Sequence, residues 1–133
     1  MKVTVHVDGG SRGNPGPAAA AAVISGAGGE VLDEAMEVLG TQTNNVAEYR
    51  GVLLGLRRAL DLGATEVDLV NDSELVARQL TGAYKVKHAA MRPLHAEAVG
   101  VLAEFERWSV RTVPREQNAD ADALVNQALD AVA

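Results

Sequence analysis

The sequence predicts an α/β fold in which one five-stranded mixed sheet carries helices on both faces. Three observations carry this prediction. Apolar and polar residues alternate through residues 2–8 with the period of a strand. Two short segments, 18–25 and 31–39, flank a glycine-rich turn and predict an antiparallel hairpin at the sheet edge. Strands predicted at 66–71 and 108–113 each follow a helical segment, which implies parallel pairing with right-handed crossovers.

The N-terminal third is predicted as strand, loop and hairpin. After the strand at 2–8, residues 9–17 read as a loop, because they are rich in glycine and contain two prolines. Segment 18–25 includes five consecutive alanines, and helix propensity alone would favour a helix there. We still predict a strand, because a Pro-Gly-Pro sequence precedes this segment and three glycines follow it within four residues.

Two helices are predicted in the middle of the chain. The first follows a polar loop over 41–45, begins at Asn44 or Asn45 and runs to about Leu62. Its apolar stripe consists of Tyr49, Val52, Leu53, Leu56 and Leu60. The second helix is short and covers residues 73–80.

The C-terminal third begins with a short basic connector over 81–88. A long helix is predicted from Met91 to Arg107, before the last strand. Residues 114–117 read as a loop, and Asn118 is predicted to cap a terminal helix. The residues of that helix predicted to face inward are Ala121, Leu124, Val125, Ala128 and Val132.

Composition limits the class of protein. A chain of 133 residues with 47% hydrophobic residues suits one domain with one core, so we place a single domain over 1–133. The absence of cysteine excludes disulfides and thiolate metal sites. Since we find neither a signal peptide nor an apolar run long enough for a membrane span, we expect a cytoplasmic protein without membrane partners. The net charge of −6 is unlike that of a generic nucleic-acid binder and fits an acidic metal site or a solvated surface.

Acidic residues stand at junctions between elements. Asp8 and Asp72 end parallel strands and therefore meet at one sheet edge, where the helix carrying Glu48 in its first turn also begins. The terminal helix starts at the same edge with Asp120 and Asp122, and periodicity does not choose between these two. Such a cluster of oxygen ligands suits Mg²⁺ or Mn²⁺ rather than zinc.

Most of these acids also have a purely structural explanation. Glu48 follows Asn45 by three residues, which is the spacing of a capping box. Asp72 could cap the helix at Ser73, and acids in the first turn of the last helix favour its dipole. Asp8 precedes no helix, and the glycine-rich segment after it indicates close approach of a ligand to the backbone. The chain has no P-loop, no Gly-x-Ser-x-Gly elbow and no histidines at metal-binding spacing.

Taken together, the motifs resemble those of type 1 ribonuclease H, in the same order and spacing over nearly the whole chain. They are Asp8-Gly9-Gly10-Ser11-x-Gly13-Asn14-Pro15-Gly16-Pro17, Thr43-Asn44-Asn45-x-Ala47-Glu48, Asn71-Asp72-Ser73 and Asn118-x-x-Ala121-Asp122-x-Leu124. The segments Tyr84-Lys85-Val86-Lys87-His88 and Arg115-Glu116-x-Asn118 are similar to the compact archaeal and actinobacterial branch of that family.

The resemblance implies an endoribonuclease that hydrolyses the RNA strand of RNA–DNA hybrids with two Mg²⁺ ions, Mn²⁺ being an alternative. By position, Asp8 would bridge both ions, Glu48 and Asp72 would complete one, and Asp122 the other. Water would attack the phosphorus in line and leave 5′-phosphate and 3′-hydroxyl ends. The family pattern thus selects Asp122 over Asp120.

The resemblance also implies a set of substrate-binding residues. We expect the protein to be a monomer. Double-stranded RNA is a possible second substrate. The minor-groove set is Gly9, Gly10, Ser11, Gly13, Asn14, Asn44 and Asn45. Lys85 and Lys87 would be the remnant of a basic protrusion that longer relatives carry. Many bacterial members have a mobile histidine before the last helix; here Arg115 is the nearest polar candidate, and a guanidinium can act there only electrostatically.

Two alternatives remain open on the same fold. One is a catalytically silent module that binds hybrids or double-stranded RNA. The other is a different two-metal phosphodiesterase, such as an exonuclease or a resolvase. Four acids that repel one another have no use in a silent module, and the Asn44-Asn45 pair favours the ribonuclease over the other nucleases.

Overall fold

The computed structural model describes residues 1–132, which form one five-stranded sheet, four α-helices and a 3₁₀ helix. The strands are β1 (Lys2–Ser11), β2 (Gly16–Ser25), β3 (Val31–Gln42), β4 (Glu66–Asn71) and β5 (Arg107–Thr112). The helices are α1 (Asn44–Asp61), α2 (Glu74–Leu80), α3 (Arg92–Leu102) and α4 (Ala119–Val132), with the 3₁₀ helix at Arg115–Asn118.

The sheet is mixed, as predicted. Its strand order is β3-β2-β1-β4-β5. The three N-terminal strands pair antiparallel, whereas β4 runs parallel to β1, and β5 runs parallel to β4. This arrangement confirms the predicted fold class, with an antiparallel edge attached to a parallel half.

Helices cover both faces of the sheet. The larger core joins β1 and β4 to α1, α2 and α3 through buried aliphatic residues such as Val5, Leu56 and Leu102. A smaller core on the opposite face consists of Ala19, Ala21, Val125, Ala128 and Leu129. Among residues 1–132, no helix combines the length and the apolar character needed to cross a membrane.

The alanine run forms a strand, as predicted against its helix propensity. Residues 18–22 belong to β2, and none of these alanines exceeds 1% exposure. The strand lies between β1 and β3 and has helices on both sides, so its backbone groups are paired and its small side chains fill a thin layer. Tertiary pairing therefore overrides local preference here.

The predicted loop over 9–17 is too long at both of its ends, because β1 continues past Asp8 to Ser11 and β2 begins before residue 18. Gly9, Gly10 and Ser11 pair with alanines of β2, and β2 itself begins at Gly16. Only the parallel pairing ends early, because β1 and β4 pair from Lys2 to His6 of β1. Asp8 therefore lies where β1 loses its parallel neighbour while it remains paired with β2.

The other hairpin strand is also longer than predicted. β3 continues past residue 39 to Gln42, and Gly40 adopts a φ of 70° where the pairing with β2 shifts register. Only glycine adopts that backbone conformation without strain, so Gly40 makes a bulge instead of ending the strand.

The long helix predicted from Met91 to Arg107 is shorter. α3 ends at Leu102, because the N–H groups of Glu104 and Phe105 bond to carbonyls three residues earlier in a tight turn. The chain then reaches β4, where the N–H of Glu106 donates to the carbonyl of Thr65 at 2.8 Å and β5 begins. Pairing with a distant strand thus ends a helical pattern that the local sequence would continue.

The predicted inner face of α4 needs one correction. Ala121, Val125 and Ala128 are buried as predicted, and Leu124 is partly buried. Val132 is 56% exposed, so that prediction is wrong; Leu129, one turn earlier, contacts the sheet instead. Val132 is the last residue of α4 and is not part of the buried cluster that the helix forms with β2.

Candidate active site

Four acidic side chains from four elements line one cavity of about 480 Å³. Asp8 lies on β1, Asp72 directly follows β4, and Asp122 lies in the first turn of α4. Glu48 lies one turn into α1. Asp8, Glu48 and Asp72 each place a carboxylate oxygen within 4.8 Å of the other two. Asp122 completes the group, since it lines the same cavity and helps to raise the pKa of Asp8.

Small residues allow α1 to lie directly against β1. Ala47, Gly51 and Gly55 recur at intervals of four and so share one helix face. A Cβ on Gly51 would lie 2.5 Å from the carbonyl oxygen of Asp8, and one on Gly9 would lie 2.0 Å from that of Ala47. This close approach brings the start of α1, and with it Glu48, to the acidic end of β1.

Glu48 does not cap its helix, so the alternative explanation by a capping box with Asn45 does not apply. The N-cap is Thr43, whose side chain accepts from the N–H of Val46 at 3.3 Å. Oε2 of Glu48 is buried and has no hydrogen-bond partner. The carboxylate is therefore left for a ligand instead of serving the backbone.

Asp72 does not cap a helix either. Ser73 is the N-cap of α2, and its Oγ accepts from the N–H of Val76 at 3.3 Å. The Ser73 N–H donates to Oδ1 of Asn71 at 2.7 Å, which fixes the turn between β4 and α2. Held on both sides, Asp72 directs its carboxylate to the cavity that Asp8 lines.

Burial and mutual repulsion disfavour ionisation of this cluster. Burial raises the pKa of Asp8 to about 7, and the charge of Asp72 and a hydrogen bond with Asp122 act in the same direction. The pKa of Glu48 is also raised well above its usual value, first by burial and then by the charges of Asp8 and Asp72. Arg115 opposes this rise with its positive charge.

These properties fit a divalent cation with oxygen ligands. The cluster offers several carboxylate oxygens within reach of one centre, and one of them, Oε2 of Glu48, is buried without a partner. A bound cation would remove the repulsion that raises these pKa values. With no cysteine in the chain and no histidine in this group, the donor set suits Mg²⁺ or Mn²⁺.

Most residues of the predicted minor-groove set surround this cavity. Gly9, Gly10, Ser11, Asn44 and Asn45 line it together with Arg115. Gly13 and Asn14 do not line it.

Asn14 instead supports the cavity wall. Its Oδ1 accepts from the N–H of Asn44 at 3.1 Å, and Oδ1 of Asn44 accepts from the N–H of Ser11 at 2.9 Å. This pair of bonds ties the turn after β1 to the start of α1.

Lys85 and Lys87 lie elsewhere. Both are exposed and line a separate groove with Leu75, Ala83 and Tyr84. The ring of Tyr84 has the guanidinium of Arg78 at 5.4 Å from its centroid. The structure thus places a basic and aromatic surface apart from the acidic cavity.

Sequence reasoning missed three further polar residues that line the cavity, which are Arg12, Ser73 and Asn126. Asn126 follows Asp122 by four residues, a spacing that puts both on one helix face, and its Nδ2 donates to the Asp122 carbonyl at 3.2 Å. That spacing could have identified Asn126 as a neighbour of Asp122 from the sequence. Arg12 is paired with Asp130 at 2.6 Å, a contact between distant residues that nothing local indicates.

Asn118 is not the helix cap that the sequence predicts. It ends the 3₁₀ helix before α4, and its Oδ1 is buried without a hydrogen-bond partner, whereas a capping oxygen would accept from an N–H of the first turn. Its Nδ2 donates to the Val7 carbonyl at 2.8 Å. The side chain is thus bound to β1 instead of to the first turn of α4.

Comparison with known proteins places this geometry in context. The profile of the family described as "Reverse transcriptase-like" matches residues 6–128. Bifunctional protein Rv2228c of Mycobacterium tuberculosis is 48% identical over 134 residues, which are 100% of this chain and 37% of that protein. Ribonuclease HI of Halobacterium salinarum is 42% identical over 129 residues, 97% of this chain and 65% of that protein. This chain thus spans little more than a third of the length of its mycobacterial relatives.

Solved structures superpose closely. The N-terminal RNase H domain of Rv2228c from Mycobacterium tuberculosis, solved as a fusion with maltose binding protein, has a TM-score of 0.96 at 47% identity, over 98% of this chain and 95% of that one. LC11-RNase H1 in complex with an RNA/DNA hybrid has a TM-score of 0.93 at 38% identity, over 98% of both chains. The agreement extends over almost all of the described fold.

Proposed function

Because this chain belongs to the type 1 ribonuclease H family, we propose that it is an endonuclease that hydrolyses the RNA strand of RNA–DNA hybrids. The observation that carries the proposal is the convergence of Asp8, Glu48, Asp72 and Asp122 on one cavity. A group of carboxylates this close together is suited to binding the metal ions of a phosphodiester hydrolase. Within the part of the chain that the structure describes, no histidine or cysteine lines the cavity, so it holds no Ser-His or Cys-His pair for nucleophilic catalysis.

The four acids would hold two Mg²⁺ ions, for which Mn²⁺ can substitute. Bound metal supplies Lewis acidity and an activated water for in-line attack on the phosphorus, which leaves 5′-phosphate and 3′-hydroxyl ends. The protein contributes a rigid frame, since Asp8 and Glu48 are fixed by the close contact of α1 with β1. Arg115 adds a positive charge at the cavity wall, where the scissile phosphate would lie.

Recognition of the hybrid would fall to the polar rim. Gly10, Ser11, Asn44 and Asn45 line the cavity next to the acids, and the two asparagines offer side-chain amides there. The wide minor groove of such a duplex displays 2′-hydroxyls, which distinguish the RNA strand from DNA. Selectivity for RNA would therefore come from residues that line the same cavity as the acids.

Cleavage of a substrate panel tests the proposal. Labelled RNA–DNA hybrid, double-stranded RNA and duplex DNA are each incubated with Mg²⁺, with Mn²⁺ and with a chelator. Internal cuts confined to RNA, absent with chelator, are the expected result; cutting of double-stranded RNA as well would add a second substrate. Binding without cutting would indicate the silent module, and degradation of DNA from its ends would indicate an exonuclease.

We expect weak and strongly salt-dependent binding of the hybrid. The chain has a net charge of −6, and the exposed cations Lys85 and Lys87 are few and lie outside the acidic cavity. Phosphate contacts release counterions, so even a few such contacts should cost roughly tenfold or more in affinity between 50 and 200 mM salt. Fluorescence anisotropy with labelled hybrid in Ca²⁺ measures this dependence, and an affinity that barely changes over that range would contradict it.

A further inference from the structure

A single buried amide joins three of the elements that carry the acids. Asn118 is 1% exposed and stands directly before α4, the helix of Asp122. Its Nδ2 donates to the carbonyl oxygen of Val7 at 2.8 Å, next to Asp8 on β1. The same nitrogen lies 3.4 Å from Oδ2 of Asp72, after β4.

The orientation of this amide follows from its neighbours. A backbone carbonyl and a carboxylate can only accept, so the NH₂ group must face both of them. Oδ1 of Asn118 then points away and is buried without a hydrogen-bond partner. An unpartnered buried oxygen costs stability, and such exceptions in native proteins call for an explanation other than packing.

We propose that Asn118 is a positioning residue for the metal site. It orients the carboxylate of Asp72 with one N–H, and with the other it fixes the start of α4 against β1, so that Asp122 stays beside Asp8. It does not line the acidic cavity and would touch neither substrate nor metal. This inference rests on the proposed function, since it assigns Asn118 to the metal site of that enzyme.

Substitution Asn118→Ala removes both N–H donors and leaves the acids in place. We expect Mg²⁺ affinity to fall about tenfold to a hundredfold, which is the usual effect of removing a residue that orients metal ligands. Isothermal titration calorimetry with Mg²⁺ measures this in the absence of substrate. In cleavage assays at limiting Mg²⁺, kcat should fall by a similar factor while KM for the hybrid stays within about twofold, because the hybrid-facing rim is unchanged.

A matched control separates positioning from loss of stability. Ala128 lies on the same helix, is buried and does not line the cavity, so Ala128→Gly should lower Tm through helix propensity and the loss of one buried methyl group. We expect it to bind Mg²⁺ as the wild-type protein does. Asn118→Ser, which keeps one donor, should give an intermediate affinity, and it replaces Asn118→Ala in the comparison if the alanine variant does not fold.

Wild-type Mg²⁺ affinity in Asn118→Ala, or an equal loss of affinity in Ala128→Gly, would overturn the proposal. Absence of measurable Mg²⁺ binding by the wild-type protein would overturn it as well. A wild-type protein that binds Mg²⁺ but leaves the hybrid uncut would count against the proposed function only, because the calorimetric comparison does not depend on cleavage.

Discussion

Replacing Asp8 by asparagine should abolish cleavage of RNA–DNA hybrid and leave the fold intact. Asp8 lies close to Glu48 and Asp72, and it lines the same cavity as Asp122. An amide is neutral and a weaker ligand, so the metal site loses its central charge. The loss of transition-state stabilisation, about 4 kcal/mol or more, lowers the rate by roughly a thousandfold or more. Initial rates at saturating Mg²⁺ measure it.

The same substitution should stabilise the metal-free protein at pH 8. Because the pKa of Asp8 in the folded state is raised to about 7, the folded protein binds a proton at Asp8 more tightly than the unfolded chain does. The associated stability is full below the ordinary pKa of aspartate and is lost as pH rises through about 7. Asparagine carries no charge at any pH. The free energy of unfolding of Asp8→Asn should therefore exceed that of the wild-type protein by on the order of 2 kcal/mol at pH 8, and the difference should vanish near pH 4.

Thermal unfolding in a chelator at both pH values measures this difference. Glu104→Gln removes one negative charge at an exposed position and serves as the control, with no comparable gain at pH 8. Added Mg²⁺ should raise the Tm of the wild-type protein and leave that of Asp8→Asn nearly unchanged. A large loss of stability in Asp8→Asn at pH 8 would mean that Asp8 serves the fold and not a cation.

Substitution Gly51→Ala should damage both stability and activity, although alanine is the better helix former. The added Cβ would lie 2.5 Å from the carbonyl oxygen of Asp8, and neither of the two backbones in contact can yield cheaply. α1 has to move away from β1 and carry Glu48 with it. We expect a loss of about 2–3 kcal/mol in stability and at least a tenfold loss in kcat.

Gly100→Ala is a matched control for this experiment. Gly100 lies within α3, is exposed, and has no atom within 4 Å of the position its Cβ would take. The same change in chemistry should there raise stability by about 0.5–1 kcal/mol. Urea unfolding of both variants measures the contrast; a Gly51→Ala protein as stable and active as Gly100→Ala would refute the role assigned to close helix packing.

The parts of the fold that the sequence predicted correctly are those with local signals. Glycines and prolines mark both ends of β2, and Gly63 follows the end of α1, so these elements appear as expected. The meeting of the acids at one edge follows from topology, since parallel strands bring their carboxyl ends together.

The errors concern contacts between residues far apart in sequence. β1 continues beyond Asp8 because β2 pairs with it, and α3 ends early because β5 must reach β4. Gly51 and Gly55 were a readable signal, since two glycines inside a helix at a spacing of four are costly unless another backbone approaches. The role of Asn118 had no local signal, because both of its partners lie at least 46 residues away.

The alanine run of β2 has a consequence for the order in which the chain becomes structured. A free peptide of residues 16–25 would tend towards transient helical turns, because its five alanines favour them and neither β1 nor β3 is present. We therefore expect β2 to form only when β1 and β3 are in place to pair with it. The conformation of β2 is thus imposed by its neighbours, and a substitution that loosens α4 or the edge strand β3 should also weaken the pairing of β2.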